Sequence, residues 1–522
     1  MREIKKSDDA REAIKSGIDQ IADVVKVTLG AKGRNVALDT MPYQNPVITN
    51  DGVTIARELL LTDKFENIGA KLVREVANKT NDVAGDGTTT ATLLMQSITT
   101  EGLKALNTGA DPIAVRRGIE KTAKMVIELV KKEAVKAEDI NTLVSTATIS
   151  CGDHELGKMI AEVVNKAGKD GVVTLEDSQE NETNYEYLEG IKIRGGYQIP
   201  IFINIPESQQ AVFKNVPIVI TNHKITLAEE IGRVMETVAM GGQKECVLIA
   251  ESIDSDAMAT AIVNWTQNRF KVLPIRVIAY GDIGEGVLRD LAAVTGANFI
   301  DQKASMKLSD ITSDDLGMVD KIVSNKDEST IVAGDEETKK SVIKTLKAQL
   351  PNLKDYEAES VKERIAKLSS GMFTIKVGGV TETERKEKKL KIEDAINASK
   401  AALTDGVVAG GGSALYRSSE IDMGDLRDDE RLGALIVLRA CEKPIMQMAE
   451  NSSMKLDKSE LAEIIKNKNK TYDFRNGEIV DAHKVGIVDP LKVVISAFEN
   501  AVSGSALFLT TEAAVVNADD PK

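Results

Sequence analysis

The sequence predicts a multidomain α/β fold, in which a helical region, an α/β region and a second helical region follow one another. Apolar residues recur at helical spacing near the start, where Ile14, Ile18, Ile21 and Val25 precede Gly30. Short apolar runs alternate with helical patterns in the middle of the chain, which is typical of a layered α/β domain. The chain has 522 residues, enough for about two to four domains.

The first quarter is predicted to be mainly helical, with helices at residues 8–29, 65–82, 88–106 and 112–134. Four apolar runs in the middle predict buried strands at 216–221, 246–250, 272–279 and 298–300. Helical patterns lie between these strands at 227–240, 256–268 and 286–294, so the strands are expected to form a parallel layer. Glycine-bearing segments at 189–196 and 369–373 border it, as hinges or as plain turns.

The last third begins with a charged helix in TETERKEKKLKIEDAINASKAAL and continues with helices and a few strands, including GEIVDAHKVGIVDP at 477–490. This layout fits a domain inserted into another domain, and it also fits domains that follow one another.

Composition excludes several classes of partner and site. The formal net charge of −14 disfavours a nucleic-acid partner. Three isolated Cys and three His give neither a disulfide framework nor a zinc spacing. The N-terminus has no apolar signal segment, and the apolar stretch at 500–511 is too short to cross a bilayer. The sequence therefore predicts a soluble cytoplasmic protein that binds neither nucleic acid nor a membrane.

The segment VAGDGTTTATLL (83–94) combines a glycine-flanked Asp with three Thr at a helix start. Glycines allow backbone N–H groups to approach an anion, and the helix N-terminus adds its positive dipole end. Asp86 would repel a bare phosphate, but it suits a magnesium ion held between a carboxylate and phosphate oxygens. The pattern indicates metal–nucleotide binding, and a turn followed by a Thr-rich helix cap is the alternative.

Three further segments contain glycine turns. VTLGAKGRNVALD (27–39) fits a binding turn or a helix C-cap, and VITNDGVTIA (47–56) most simply predicts a hairpin turn. DGVVAGGGSAL (405–415) fits a phosphate-binding or sugar-binding turn or a tight connection. The spacing of GDIGEG (281–286) does not match a dinucleotide fingerprint.

Several motifs occur in a fixed order: TLGAKGRNV, TNDGVTIARE, NDVAGDGTTTATLL, RRGIEK, KDGVVTLED, KEKKLKIEDAINASKAAL, GVVAGGG and VDP. Together they resemble the group I chaperonins, the GroEL-type family, over essentially the whole chain, and the sequence is identified as a divergent member. The resemblance implies a helical equatorial domain at 1–134 and 406–522. It also implies a small intermediate α/β domain at 135–189 and 371–405, and an inserted apical α/β domain at 190–370.

The resemblance further implies an ATP-driven protein-folding machine with ATP and Mg²⁺ as cofactors and K⁺ as an additional candidate. Asp51 and Asp394 would be the catalytic carboxylates, with Asp394 orienting the attacking water, and Asp86 would hold the metal. The implied nucleotide-binding residues are Thr28, Leu29, Gly30, Ala31, Asn50, Asp86, Gly87, Thr88, Thr89, Thr90, Gly411, Asp473, Phe474, Arg475 and Asp489. Ala31, Asn50 and Asp473-Phe474-Arg475 depart from the pattern usual in the family, where Pro, Lys and Asn-Ala-Ala are common.

The resemblance implies non-native polypeptides as partners, a ring-shaped co-chaperonin lid as a further candidate partner, and homo-oligomers of one or two seven-membered rings. The implied apolar groove residues are Tyr197, Ile201, Phe202, Met235, Met258, Ile262 and Val263. Core packing is the alternative for residues at this spacing. Two other functions stay open: a divergent chaperonin that acts mainly as a passive holdase or works without a co-chaperonin lid, and a metabolic nucleotide enzyme built on the α/β middle.

Overall fold

A computed structural model describes residues 2–39, 46–168, 171–178, 180–206, 208–277, 281–334, 336–350 and 371–517, with residues 361, 364, 365 and 368 between the last two ranges. The chain divides into two compact units. The first combines Met1–Asn184 with Ile375–Lys522, and the second is Tyr185–Thr374. The division into equatorial, intermediate and apical domains stays a prediction.

The N-terminal part of the first unit is mainly helical. Its helices are α1 (Ser7–Val25), α2 (Gly52–Glu58), α3 (Glu66–Ala84), α4 (Thr88–Asn107), α5 (Pro112–Glu133), α6 (Ile140–Cys151) and α7 (His154–Ala167). Its strands are β1 (Arg2–Lys6), β2 (Val36–Leu38), β3 (Val47–Thr49) and β4 (Val172–Asp177). The four helices predicted in this region are confirmed, apart from the end of the first.

Two local differences from the sequence analysis have physical causes. Helix α1 ends at Val25, and a single 3₁₀ turn follows it at Lys26–Thr28, so the helical apolar pattern runs past the α-helix itself. The hairpin predicted at 47–56 is wrong, because helix α2 begins directly after a short strand. Asp51 caps that helix by accepting the N–H groups of Val53 and Thr54.

The second unit is an α/β unit. Its strands are β5 (Asn184–Glu189), which begins at the boundary, β6 (Ile191–Arg194), β7 (Ala211–Thr221), β8 (Lys224–Ile225), β9 (Glu245–Ala250), β10 (Ser252–Ile253), β11 (Lys271–Arg276), β12 (Phe299–Ile300), β13 (Gly317–Ser324) and β14 (Glu328–Val332). Its helices are α8 (Ala228–Met240), α9 (Ser255–Thr266), α10 (Gly281–Thr295) and α11 (Glu336–Gln349). The helix predicted at 286–294 is confirmed but begins earlier, so GDIGEG forms its start.

The main sheet of this unit has the strand order β11-β9-β7-β13-β14-β6, and β12 also pairs with β7. Strands β7, β9, β11 and β12 are mutually parallel, as predicted. The sheet as a whole is mixed, because β13, β14 and β6 add antiparallel pairs. Asn325 closes the tight turn between β13 and β14 by accepting the N–H groups of Asp327 and Glu328.

The C-terminal part returns to the first unit. Its helices are α12 (Glu382–Asp405), α13 (Ser413–Ser418), α14 (Asp428–Cys441), α15 (Lys443–Asn451), α16 (Lys458–Lys466), α17 (Ala482–Val485) and α18 (Leu491–Leu509). Its strands are β15 (Gly371–Val377), which begins before the boundary, β16 (Val407–Ala409), β17 (Lys470–Asp473), β18 (Glu478–Asp481), β19 (Val488–Pro490) and β20 (Ala513–Asn517). Strand β20 pairs with β1, and β16 pairs with β19, so distant parts of the sequence share one unit.

Helix α18 is the central core helix of the first unit and packs against α3, α4 and α5. Within the described residues it is the one helix long and apolar enough, by length and composition alone, to cross a membrane. However, 56% of its apolar window is buried inside the unit. The apolar run is therefore longer than the predicted 500–511 stretch, and its packing is that of a core helix.

Candidate functional site

The loop between α3 and α4 turns the chain sharply at two glycines. Gly85 ends α3 with φ of 68°, and Gly87 precedes α4 with φ of 86°. Both conformations are left-handed, which favours glycine at these positions. A Cβ on Gly85 would overlap the side chain of Asn397 on α12. The glycines therefore set Asp86 at the N-terminus of α4 and hold the loop against α12.

Three chain segments meet at the N-terminus of α4. Gly87, at the N-cap, has no side chain to cap the first N–H groups of this helix. The hydroxyl of Thr28 lies 3.2 Å from that of Thr89. Gly52 approaches so closely that a Cβ there would lie 2.8 Å from the Thr88 hydroxyl. Backbone N–H groups, threonine hydroxyls and a helix N-terminus together form a site suited to phosphate.

The turn after α1 brings Thr28 to this site. The Thr28 side chain is buried, and its hydroxyl donates to the Val25 carbonyl at 2.8 Å. Leu29 is half-buried, whereas Gly30 and Ala31 are exposed. The predicted nucleotide-binding segment, residues 28–31, therefore extends from the interior of the first unit to its surface.

Asp51 and Asp86 are tied to the backbone near these glycines. Asp51 caps α2 and also accepts the Thr54 hydroxyl at 2.6 Å. Asp86 accepts the Gly87 N–H at 2.5 Å and the Ser150 hydroxyl at 3.1 Å. Burial raises the pKa of the Asp86 carboxyl, and the negative charge of Asp51 raises it further. Asn50, next to Asp51, is half-buried.

Asp394 and Asp489 extend this acidic group, although both are distant from Asp86 in sequence. Burial raises the pKa of Asp394, on α12, well above its usual value, and the charges of Asp51 and Asp86 add to the effect. Burial and the charge of Asp86 raise the pKa of Asp489, in β19, to about 7. The fold therefore gathers carboxyl groups whose negative charges destabilise one another.

Such a group of carboxyls fits a cation that also binds other ligands. Among the described residues, no three or more His, Cys, Asp or Glu are placed so that they could hold a metal ion by themselves. Mg²⁺ needs no such cage, because it is usually held by one or two carboxylates, waters and substrate phosphates. Asp86, beside the helix N-terminus, has the chemistry expected of that carboxylate.

The predicted nucleoside contacts lie around β16, β17 and β19. Gly411 has φ of 64°, and a Cβ there would lie 2.9 Å from the Thr471 hydroxyl. Asp489 is paired with Val408 across the β16–β19 ladder, and its Oδ1 would lie 3.0 Å from a Cβ on Gly410. Gly411 and Asp489 therefore border one turn.

Asp473 ends β17, and Phe474 and Arg475 begin the tight turn that joins β17 to β18. The Asp473 carboxylate accepts the Arg475 N–H at 2.8 Å and the Asn476 side-chain amide at 2.8 Å. Phe474 is only 4% exposed and packs 5.0 Å, between ring centroids, from Tyr472. Its ring is therefore part of a core cluster and offers no open face to a base. Asp473 is likewise occupied in shaping the turn.

In the second unit, the predicted groove residues separate into core and surface. Tyr197, Phe202 and Met258 are buried, and Phe202 packs edge-on against Trp265 at 5.2 Å. These three side chains are core residues in this structure, and their role as contacts for a bound chain stays a prediction. The remaining four are half-buried or exposed: Ile201, Met235, Ile262 and Val263.

Sequence reasoning missed several neighbours of the site. Gly52 lies against the Thr88 and Thr89 hydroxyls, Ser150 donates to Asp86, and Asn397 packs against Gly85. Gly52 follows Asp51 in the segment VITNDGVTIA, and a glycine there already indicates that another part of the chain approaches the backbone closely. Ser150 and Asn397 lie within ordinary helices, and no local pattern marks them.

Comparisons with known proteins agree with this architecture. A family model described as the TCP-1/cpn60 chaperonin family matches residues 21–519. The chain is also similar to solved structures of the chaperonin gp146 from the bacteriophage EL 2 (Pseudomonas aeruginosa), determined in the presence of ATP-BeFx. One crystal form matches with a TM-score of 0.67 at 20% identity, and the other with 0.62 at 21% identity. Each comparison covers 99% of both chains, so the likeness extends over the whole fold.

Proposed function

We propose that this chain, which belongs to the TCP-1/cpn60 chaperonin family, binds and hydrolyses Mg-ATP to drive the folding of non-native proteins. One observation carries the ATPase part of the proposal. Beside the open N-terminus of α4, the charge of Asp51 acts on Asp86 and Asp394, and the charge of Asp86 acts on Asp394 and Asp489. Phosphate-binding and cation-binding features therefore lie side by side within one unit.

The chain's own residues would divide the work of phosphoryl transfer. The first N–H groups of α4, with the hydroxyls of Thr88, Thr89 and Thr90, would bind phosphate oxygens. Asp86 would hold Mg²⁺, which supplies the positive charge that phosphoryl transfer to water requires. Asn50 can donate only a neutral hydrogen bond to a phosphate oxygen, so it would stabilise the phosphates less than a lysine would.

Asp394 is the proposed water-orienting carboxylate, and Asp51 assists it. Asp394 can accept a proton from water only when it is ionised, yet burial and the neighbouring charges of Asp51 and Asp86 favour its neutral form. A cation held by Asp86 would offset part of that repulsion and would lower the pKa of Asp394. Ionisation of Asp394 would then be favoured only with the cation bound, which would link catalysis to metal–nucleotide binding.

The folding part of the proposal concerns the second unit and the assembly. Ile201 is 37% exposed and Val263 is 49% exposed, and these apolar side chains would contact non-native segments. Met235 and Ile262 lie half-buried and would form the base of such a surface. We propose that subunits form seven-membered rings in the cytoplasm and enclose their clients in a cavity, with or without a lid.

Magnesium-dependent ATPase assays on Asp394→Asn test the catalytic part. Asp405→Asn is the matched control, because Asp405 is an exposed residue on the same helix and the change removes the same charge. The expected result is a fall in kcat of about a hundredfold for Asp394→Asn, typical for loss of a general base, with Mg-ADP binding retained. The Asp405→Asn protein should hydrolyse ATP as the wild type does. Equal rates in the two variants would overturn the role of Asp394.

Particle imaging with and without nucleotide tests the assembly. Rings of seven subunits would support the cavity, and monomers under every nucleotide condition would rule it out. A wild-type protein that captures denatured polypeptides but does not hydrolyse ATP would be a passive holdase, which contradicts the proposed folding cycle.

A further inference from the structure

Asn451, at the C-terminal end of α15, is bonded to the turn that carries Thr28. Its side-chain Nδ2 donates to two backbone carbonyls, those of Lys26 and Leu29, and both distances are 2.9 Å. Lys26 begins the 3₁₀ turn and Leu29 directly follows it, so the two carbonyls lie at opposite ends of the turn. One amide group therefore holds the turn on both sides of Thr28.

Two neighbours of Asn451 on α15 reinforce this arrangement. Gln447, one helical turn earlier, is 8% exposed and donates its side-chain amide to Asn451 Oδ1 at 3.0 Å. This bond turns the Nδ2 group of Asn451 towards the two carbonyls. Met448 packs so closely against Gly30 that a Cβ there would lie 2.7 Å from Met448 Cγ. Helix α15 thus supports the turn by hydrogen bonds and by packing.

We propose that Asn451, oriented by Gln447, is a positioning residue for nucleotide binding: it fixes the turn that presents Thr28, Leu29 and Gly30. This inference rests on the proposed function, because those residues are the expected nucleotide contacts. A turn held in place before binding does not have to be ordered by the nucleotide. Loss of the two hydrogen bonds would therefore weaken nucleotide affinity more than it slows chemistry.

The test is calorimetric binding of Mg-ADP, with ATPase kinetics, on Asn451→Ala and Asn451→Asp. Two lost hydrogen bonds correspond to roughly a tenfold rise in Kd for Asn451→Ala. Asn451→Asp keeps the shape of the side chain but sets an acceptor against two carbonyl oxygens, so its Kd should rise further. In both variants kcat at saturating ATP should change by less than about twofold, with the loss appearing in KM.

Asn204→Ala is the matched control. The Asn204 side chain also bridges to backbone, donating to the Val212 carbonyl at 2.7 Å and accepting the Val212 N–H at 2.8 Å, but it lies in the second unit. Its loss should lower thermal stability without changing the Kd for Mg-ADP. Gln447→Glu is a second variant that tests the same arrangement if the Asn451 variants do not fold. Gln447 lines an open pocket between α4 and α15, and Glu has the same size and shape as Gln, so the change adds no bulk.

The carboxylate introduced by Gln447→Glu would set an oxygen against Asn451 Oδ1 and turn the amide away from the two carbonyls. A rise in Kd of several-fold is therefore expected for Gln447→Glu. Wild-type affinity in Asn451→Asp or Gln447→Glu would overturn the inference and leave the proposed function standing. A wild-type protein that fails to bind Mg-ADP would overturn the proposed function itself.

Discussion

Replacing Gly85 by Ala tests how tightly the Asp86 loop is held against the helix that carries Asp394. The new methyl group has two separate effects. The residue must keep a left-handed φ of 68°, which L-residues with a Cβ disfavour, and the methyl would overlap the Cβ, Cγ and Nδ2 atoms of Asn397. Gly152→Ala isolates the first effect. Gly152 ends α6 with φ of 77° and ψ of 3°, and nothing lies within 4 Å of its added Cβ.

The two magnitudes follow from these geometries. A left-handed conformation costs an alanine about 1–2 kcal/mol, and this term is common to Gly85→Ala and Gly152→Ala. Overpacking against the half-buried Asn397 side chain adds about 1–3 kcal/mol, and this term applies to Gly85 alone. Gly152→Ala should therefore lower the free energy of unfolding of the first unit by about 1–2 kcal/mol. Gly85→Ala should lower it by about 2–5 kcal/mol.

Urea unfolding followed by far-ultraviolet circular dichroism measures the difference, because the helices of the first unit dominate that signal. Trp265 is the only Trp in the chain and lies in the second unit, so its fluorescence is an internal control that neither substitution should change. Equal midpoints for Gly85→Ala and Gly152→Ala would refute the argument, since the contact with Asn397 would then contribute nothing.

Three further predictions concern charge and exposed surface. The carboxyl of Asp489 has a pKa of about 7 in the folded state, against the ordinary value of 3.8 expected in the unfolded chain. The free energy of unfolding should therefore fall as pH rises from about 4 to 7, by at most about 4 kcal/mol, and Asp489→Asn should abolish that part of the pH dependence in thermal melts. Burial and neighbouring carboxylates raise the pKa of Asp86 and of Asp394, so Mg-ADP binding should release protons from them and tighten as pH rises. Calorimetry in buffers of different ionisation enthalpy measures the release, and proton uptake would contradict it. Val263→Ser should weaken the capture of a denatured protein several-fold in a light-scattering assay. Val380→Ser is the control, because Val380 is 76% exposed but lies in the first unit, and it should leave capture unchanged. Equal effects of the two substitutions would count against the proposed surface.

The helices were the most predictable part of the fold, because their apolar positions repeat locally. Ile14, Ile18 and Ile21 are all buried on one face of α1, as their spacing indicates. The short segment after Asn50 was predicted wrongly, since Asn-Asp-Gly suits a hairpin turn and a helix start equally well. The outcome depends on Asp51, whose carboxylate satisfies two N–H groups at the start of α2.

The candidate site was predictable only in its local pieces. The glycines and threonines between residues 85 and 90 indicate a binding role from the sequence alone. Their helix propensity is poor, so helix stability does not explain their presence at the start of a helix. Asp394, Asp489, Ser150 and Asn451 carry none, since each lies in a regular element and acts through neighbours that are distant in sequence. Asp394 and Asp489 were identified only through the family resemblance, whereas Ser150 and Asn451 required the three-dimensional contacts.

The acidic group also explains how the site would distinguish its ligands. A nucleotide without metal would add phosphate charge beside Asp86, where Asp51, Asp394 and Asp489 already disfavour negative charge. The metal of a metal–nucleotide offsets part of the phosphate charge and offers Asp86 a cation to bind, so the carboxyls oppose this form much less. Affinity for ATP in a chelator should consequently be far lower than affinity for Mg-ATP. Asp86→Asn should narrow the gap, because it removes a ligand of the metal and also removes a negative charge that repels metal-free ATP. Equal affinity for the two forms in the wild type would mean that these carboxyls do not face the phosphates.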